Sequence, residues 1–220
     1  MRRTLYLCIV LLFFCLGCSS VIDKRVEKTA QELINDGIKQ YQKRNYISSI
    51  ESFETLKDWY PFSKYAILAE LKIADANYKL KHYDEAVAAY ESFENLHPNN
   101  EAIPYAVYQI GLCFFDQMDS VDRDQISTQK ALFTFRRFIK QFPENENSTR
   151  AKKHIKKCLK SLAGHEFYVG QYYYKTKHYK AALYRFKSIL LNYPDLGVHR
   201  KALHYIALCE VSMTKNKEKK

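Results

Sequence analysis

The sequence predicts an all-α solenoid of antiparallel helix pairs, on the strength of two spacings and one compositional feature. Gly37 precedes Pro61, Ala74 precedes Pro98 and Gly170 precedes Pro194 by the same 24 positions. Pro61 to Ala74, Pro98 to Gly111 and Pro194 to Ala207 are each 13 apart, so the period is 37 residues. A unit of that length holds two helices and two turns, and such units bury their apolar faces only by stacking on one another. Only 6 Gly and 5 Pro occur in 220 residues, most of the Pro at unit ends, which suits a nearly all-helical chain. With 47% hydrophobic and 27% charged residues the chain is globular rather than disordered. The 18 Tyr and 13 Phe are many for this length, and such rings either wedge between helices or line a binding groove.

Taken in order, the chain opens with a segment that belongs to export and not to the fold. Arg2 and Arg3 precede a hydrophobic run from Leu5 to Leu16, too short to stay in a bilayer as a spanning helix. The run ends at Leu16-Gly17-Cys18-Ser19, which resembles the lipobox of bacterial lipoproteins. One departure is present: the position three before the Cys is Cys15, with Leu16 one step later. The resemblance implies a signal peptide over residues 1–17 and an acylated Cys18 as the new N-terminus, carrying diacylglycerol and an amide-linked chain such as palmitate. With each buried CH₂ contributing roughly 0.8 kcal/mol, three such chains would hold the protein on a membrane. Ser19 in place of Asp implies sorting to the outer membrane. Residues 18–29 lack apolar periodicity and read as a lipidated, flexible tether.

The units then follow at about 30–62, 67–99, 104–144 and 148–195, with a last single helix over 198–213 and a basic tail at 215–220. Counting the small residue as position 8, the second unit places Ala74, Ala86, Tyr90 and Pro98 at positions 8, 20, 24 and 32. Gly170, Ala182, Phe186 and Pro194 repeat this in the fourth unit, and Gly37, Ser49, Phe53 and Pro61 in the first. Position 17 is Tyr46, Tyr83 or Tyr179. These residues resemble the tetratricopeptide repeat (TPR). Small residues let two helices approach closely, the aromatic fills the gap to the next unit, and Pro ends the helix. In the third unit Gly111 to Pro143 is 32, an insertion of eight around 116–128. A further excess of 14 between Pro143 and Gly170 carries Ile155, Leu159 and Leu162 at helical spacing and prolongs the first helix of the fourth unit, with Asn147 or Ser148 as its N-cap.

Charge and cysteines narrow the chemistry. The net charge of +11 becomes +9 without Arg2 and Arg3, much of it on Lys152, Lys153, Lys156, Lys157, Lys160 and the tail. An exported protein meets no nucleic acid, so this basic surface is a solvated face or a contact for anionic lipid or an acidic partner. Once Cys8 and Cys15 leave with the signal and Cys18 is acylated, Cys113, Cys158 and Cys209 remain, each in an apolar helical context that reads as core. The sequence carries no metal motif and no cofactor motif. His165-Glu166 suggests acid–base work and Asp122-Arg123-Asp124 a metal or phosphate, but neither has a nucleophile, ligand set or Gly-rich loop beside it. The first reads as structural and the second as a loop pinned by ion pairs. The expectation is a non-enzymatic protein.

In TPR stacks the first helix of each unit lines a concave face. That resemblance puts Leu68, Leu71, Asp75 and Tyr78, then Tyr105, Tyr108, Leu112 and Phe115, on the face. Tyr78, Tyr105 and Tyr108 are the candidate substrate groove, either offering ring area and hydroxyl groups to an extended peptide or packing against neighbouring helices. Four segments carry a narrower likeness: residues 59–66, Gly111-Leu112-Cys113-Phe114-Phe115, Val121-Asp122-Arg123-Asp124-Gln125, and Leu162-Ala163-Gly164-His165-Glu166. With the lipobox, they resemble the BamD family, lipoproteins of the outer-membrane β-barrel assembly (BAM) machine. The resemblance implies binding of unfolded outer-membrane β-barrel proteins by the N-terminal units. It also implies docking of the C-terminal units on a POTRA domain of BamA, with the other BAM lipoproteins as further partners. It puts Arg185 at the BamA contact, where a planar guanidinium can hold a carboxylate bidentately. The alternative is a periplasmic TPR lipoprotein acting as an adaptor in cell-envelope remodelling, which would share the anchor and the repeats but lack the insertion and the extension.

Overall fold

The computed structural model describes residues 28–218, which hold nine α-helices and, among the described residues, no strand. They are α1 (Ala30–Gln42), α2 (Tyr46–Trp59), α3 (Ala66–Lys79), α4 (Tyr83–Leu96), α5 (Ile103–Asp116), α6 (Ile126–Gln141), α7 (Ser148–Lys175), α8 (Tyr179–Asn192) and α9 (His199–Glu218). The principal packing is between helices adjacent in sequence, with α5 against α7 the further pairing of note. This is the neighbour-on-neighbour arrangement of a solenoid. The segment bearing Cys18 lies outside the described residues.

The close approach within each pair explains its composition. Phe53, Tyr90, Phe135 and Phe186, all at position 24, are fully buried. A Cβ on Gly111 would come within 2.7 Å of the Phe135 ring, and one on Gly170 within 2.7 Å of Phe186. Gly37 stands in the same relation to Phe53. Only the second pair has a side chain here, Ala74, and it faces a Tyr rather than a Phe. Opposite, position 20 is Ala86, Ala131, Ala182 or Ser49, and the Ser49 hydroxyl is satisfied by donating to the Gly37 carbonyl at 2.9 Å.

Within three of the pairs the first helix ends the same way. Arg44, Lys81 and Lys177 sit in the left-handed region with φ of 63°, 62° and 65°. Their amides, and those of the residues after them, return to carbonyls of the preceding helix: Arg44 to Tyr41 and Asn45 to Gln40, with the same pairs at Lys81–His82 and Lys177–His178. This satisfies helix-end carbonyls, at a steric cost that Gly would avoid. The third pair lacks this turn because residues 117–125 form the inserted loop. At the start of the stack, the Thr29 hydroxyl accepts from the Glu32 amide at 3.2 Å while the Thr29 amide donates to the Glu32 carboxylate at 2.8 Å, fixing the start of α1.

The extra residues after Pro143 continue into α7, 28 residues long. Asn147 occupies its N-cap position without a side-chain cap bond; Ser148 instead donates from its hydroxyl to the Phe142 carbonyl at 2.9 Å. Ala151, Cys158 and Leu162 of α7 belong to the central core, and its later residues Phe167, Tyr173 and Tyr174 pack on the core of the last helices. Cys113, Cys158 and Cys209 are buried free thiols.

Two substitutions test this packing with opposite signs. Gly111→Ala drives a methyl into the Phe135 ring and should lower stability by about 1–2 kcal/mol, overpacking outweighing the gain in helix propensity. Lys81→Gly relieves the left-handed turn and should raise it by about 0.5 kcal/mol after the entropy of the more flexible unfolded chain. Urea denaturation followed by circular dichroism reads both.

Candidate functional site

Two places gather the residues of interest. The first lies where α3, α4 and α5 meet. Asp75 of α3 is only 4% exposed. Its Oδ1 accepts from the hydroxyls of Tyr90 and Tyr105, each at 2.7 Å, and its Oδ2 from Lys72 Nζ at 2.7 Å. A buried carboxylate held by a cation and two phenols is well compensated. This fixes Tyr105, 37% exposed, with its ring at the surface and its hydroxyl turned inward. Tyr78 is arranged the other way round: its ring packs half-buried on the central core and its hydroxyl donates to the exposed Asp116 at 2.6 Å. Tyr105 therefore leaves ring surface exposed and Tyr78 part of its ring, while both hydroxyl protons are already committed. Leu68 and the neighbouring Ile67 are exposed on α3 and extend the apolar surface.

Tyr108 does not join that wall. It is 6% exposed, packed between Phe135 and Phe138 at ring separations of 5.7 and 5.5 Å, with its hydroxyl 3.3 Å from His154 Nε2. The cause is the extension: the N-terminal half of α7 lies on α5 and covers this position. His154 itself stacks on Phe135 at 5.0 Å, and burial, with Lys157 nearby, holds its pKa below the ordinary imidazole value. The lysines of this half, Lys152, Lys153, Lys156, Lys157 and Lys160, are all exposed on the outer side.

The second place is the corner between the inserted loop and α7. Gln125, buried at the end of the loop, donates from Nε2 to the carbonyls of Ser120 and Arg123 at 3.0 and 3.1 Å. Its Oε1 accepts from Thr128 at 3.0 Å and from Ser161 of α7 at 3.1 Å. Val121 packs so closely on Gly164 that a Cβ there would meet it at 2.9 Å, and His165 Nδ1 lies 2.7 Å from the Val121 carbonyl. Thus the loop and the Leu162–Glu166 segment, far apart in sequence, are the two sides of one contact. The expectation that Asp122-Arg123-Asp124 is pinned by ion pairs is corrected: Asp122 accepts from the Ser120 hydroxyl and Asp124 from the Ile126 amide at 2.8 Å, and among the described residues none of the three forms a salt bridge. A loop this short caps itself with local acceptors, leaving the Arg123 guanidinium exposed.

Beside this corner Arg185 of α8 pairs with Glu166, Nη1 lying 3.0 and 3.2 Å from the two carboxylate oxygens. Both line a cavity of about 540 Å³ with Asp122, Arg123, His165 and Tyr193. The pair uses one terminal nitrogen, so the rest of the guanidinium fork is available to a second carboxylate. His165 and Glu166 are thereby engaged in holding the loop and the arginine. Sequence reasoning missed Gln125 as the keystone, since a lone glutamine carries no motif. Gly164, a glycine in mid-helix, was the one signal of a close approach there.

A family model described as an outer membrane lipoprotein, YfiO, matches residues 26–220. The outer membrane protein assembly factor BamD of Caulobacter vibrioides is 27% identical over 208 residues, covering 93% of this chain and 68% of that protein. The protein of the same name from Rickettsia prowazekii is 31% identical over 178 residues, covering 80% and 71%. That from Neisseria gonorrhoeae is 28% identical over 197 residues, covering 85% and 74%.

The buried acids set the response to alkali. Burial pushes the Cys113 thiol up to about 12 and Cys158 up to about 11, from an ordinary 9.0. Burial and then the Asp75 charge raise Tyr90 and Tyr105 above the usual 10.0. Above pH 9 the unfolded chain therefore loses protons that the folded one keeps, and stability must fall as pH rises. Denaturation midpoints should be flat from pH 7 to about 8.5 and decline steadily to pH 11; a rise over that span contradicts the burial.

Proposed function

The chain belongs to the YfiO (BamD) family of outer membrane lipoproteins, and from that premise we propose that it is a non-enzymatic assembly factor for β-barrel proteins, working as a component of the outer-membrane assembly machine. In this reading an acylated Cys18 holds it on the periplasmic side of the outer membrane. The apolar surface of Leu68, Tyr78 and Tyr105 captures extended segments of unfolded barrel proteins. Rings whose hydroxyls are already bonded to Asp75 and Asp116 suit that task, because they offer area without demanding a particular polar partner.

The C-terminal half docks on a POTRA domain of BamA through Arg185. The observation that carries this is the corner itself: Gln125, Val121 and His165 lock the inserted loop onto α7 beside the Arg185–Glu166 pair. A guanidinium held on one side by its own glutamate is preorganised for a partner's carboxylate on the other. The insertion and the long helix together build this corner, so both serve the docking surface.

A charge swap tests the assignment. Arg185→Glu with Glu166→Arg keeps the internal ion pair and should leave thermal unfolding within about 1 kcal/mol of the parent. The same swap turns a carboxylate outward and should abolish co-purification of the large barrel-forming subunit from detergent-solubilised membranes. Undiminished co-purification by the swapped protein would remove Arg185 from the contact.

A further inference from the structure

The turn that closes the first helix pair departs from its three counterparts. The four read Trp59-Tyr60-Pro61-Phe62-Ser63-Lys64, Leu96-His97-Pro98-Asn99-Asn100-Glu101, Gln141-Phe142-Pro143-Glu144-Asn145-Glu146 and Asn192-Tyr193-Pro194-Asp195-Leu196-Gly197. After the Pro stand Asn99, Glu144 and Asp195 in the later turns and Phe62 in the first. Three places beyond it, Lys64 replaces Glu101 and Glu146. The place of Trp59 is also apolar and exposed in the second turn, as Leu96. At the place after the Pro, however, the repeats supply their own control: the turn geometry is met there by polar and acidic residues, and Phe62 stands there for another reason.

Packing does not supply that reason. Phe62 is 101% exposed and Trp59 51% exposed, while Tyr60 and Tyr65 of the same segment pack on the first core cluster. Two large apolar side chains held in water within one turn mark a contact surface rather than a stray residue. The place of the turn in the molecule indicates what it meets. The Tyr60 hydroxyl donates to the Lys28 carbonyl at 3.0 Å, so the chain that leads back to Cys18 leaves the fold beside this turn. Nine residues lie between Cys18 and Lys28, ten steps of the chain, a reach of at most about 35 Å.

We infer that this turn rests on the bilayer to which Cys18 is tied, with Trp59 and Phe62 in the boundary between headgroups and acyl chains and Lys64 facing anionic headgroups, Lys28 being paired with Asp36 at 2.6 Å. Tryptophan, phenylalanine and lysine in this combination are what a membrane interface recognises. The inference rests on the reading of Cys18 as acylated. A short tether keeps the local concentration of lipid high, so a contact too weak to bind a free protein suffices to orient an anchored one. The result is a solenoid whose first unit is set against the membrane while the later units project from it.

The chain has one tryptophan, Trp59, so its fluorescence reports on this turn alone. The full mature protein is reconstituted into vesicles of phosphatidylethanolamine and phosphatidylglycerol that contain lipids brominated on the acyl chains. Trp59 emission is expected to shift to the blue and to be quenched by bromine. Phe62→Asp and Lys64→Glu, at exposed positions outside the core, should keep the circular dichroism melt and lose most of the shift and quenching. Mass spectrometry of the N-terminal peptide reads acylation separately. An acylated protein with unquenched Trp59, or a Phe62→Asp protein quenched as the parent, overturns the inference and leaves the anchor standing. A blue shift without bromine quenching assigns the turn to a second copy or a partner chain and overturns it as well. If the peptide is unmodified, the anchor reading fails, and quenching on mixing the protein with the same vesicles decides the contact by the same outcomes.

Discussion

How near two helices of a pair can come is the constraint on which the rest of this molecule depends. A buried ring at position 24 presses against the opposing helix where that helix has no side chain, or at most a methyl. This close approach repeats through the stack. Where the ring is Phe the opposing residue is Gly; where it is Tyr90 the opposing residue is Ala74. In that second pair the Tyr90 hydroxyl is bonded to Asp75, and the same carboxylate holds Tyr105 of the next pair. One buried charge therefore serves both packing within a unit and registry between units.

The two candidate surfaces differ in how they are built. The N-terminal surface is a by-product of regular stacking, since first helices placed side by side leave apolar residues such as Leu68 and Tyr105 along one face. The C-terminal corner is an irregularity made rigid. A loop of nine residues would ordinarily be free to sample many shapes, but Gln125 satisfies four groups at once and Gly164 gives Val121 room to settle on α7. Irregular backbone held this firmly is how repeat scaffolds acquire sites that their repeats cannot supply.

Much of this was legible in the chain because repetition averages out local ambiguity. The period predicted paired helices, and Tyr46, Tyr83 and Tyr179 open α2, α4 and α8. The excess before Gly170 read as helix, as α7 is. The left-handed turns were not legible, because Arg44, Lys81 and Lys177 carry none of the usual signal of Gly or Asn. Of the two readings open for Tyr108, groove or packing, the packed one holds for a tertiary reason: Phe135 and Phe138 of α6 and His154 of α7 enclose it together. The loop motif was visible, but its bonding was not. Aspartates beside an arginine suggest ion pairs, whereas a tight loop offers its own amide and hydroxyl donors at closer range.

Helix α7 also alters how the stack should come apart. At 28 residues it is about 42 Å long and runs through two apolar clusters that would otherwise be separate. Repeat arrays ordinarily unzip from an end, each unit melting nearly on its own. Here the last units cannot fray without disturbing a rod whose other half is embedded in the middle of the array, so the two regions melt as one cooperative block. The first pair, which shares a separate cluster with Ala66, Ala69 and Ile73 of α3 and has no part in the central one, is left as the softer end.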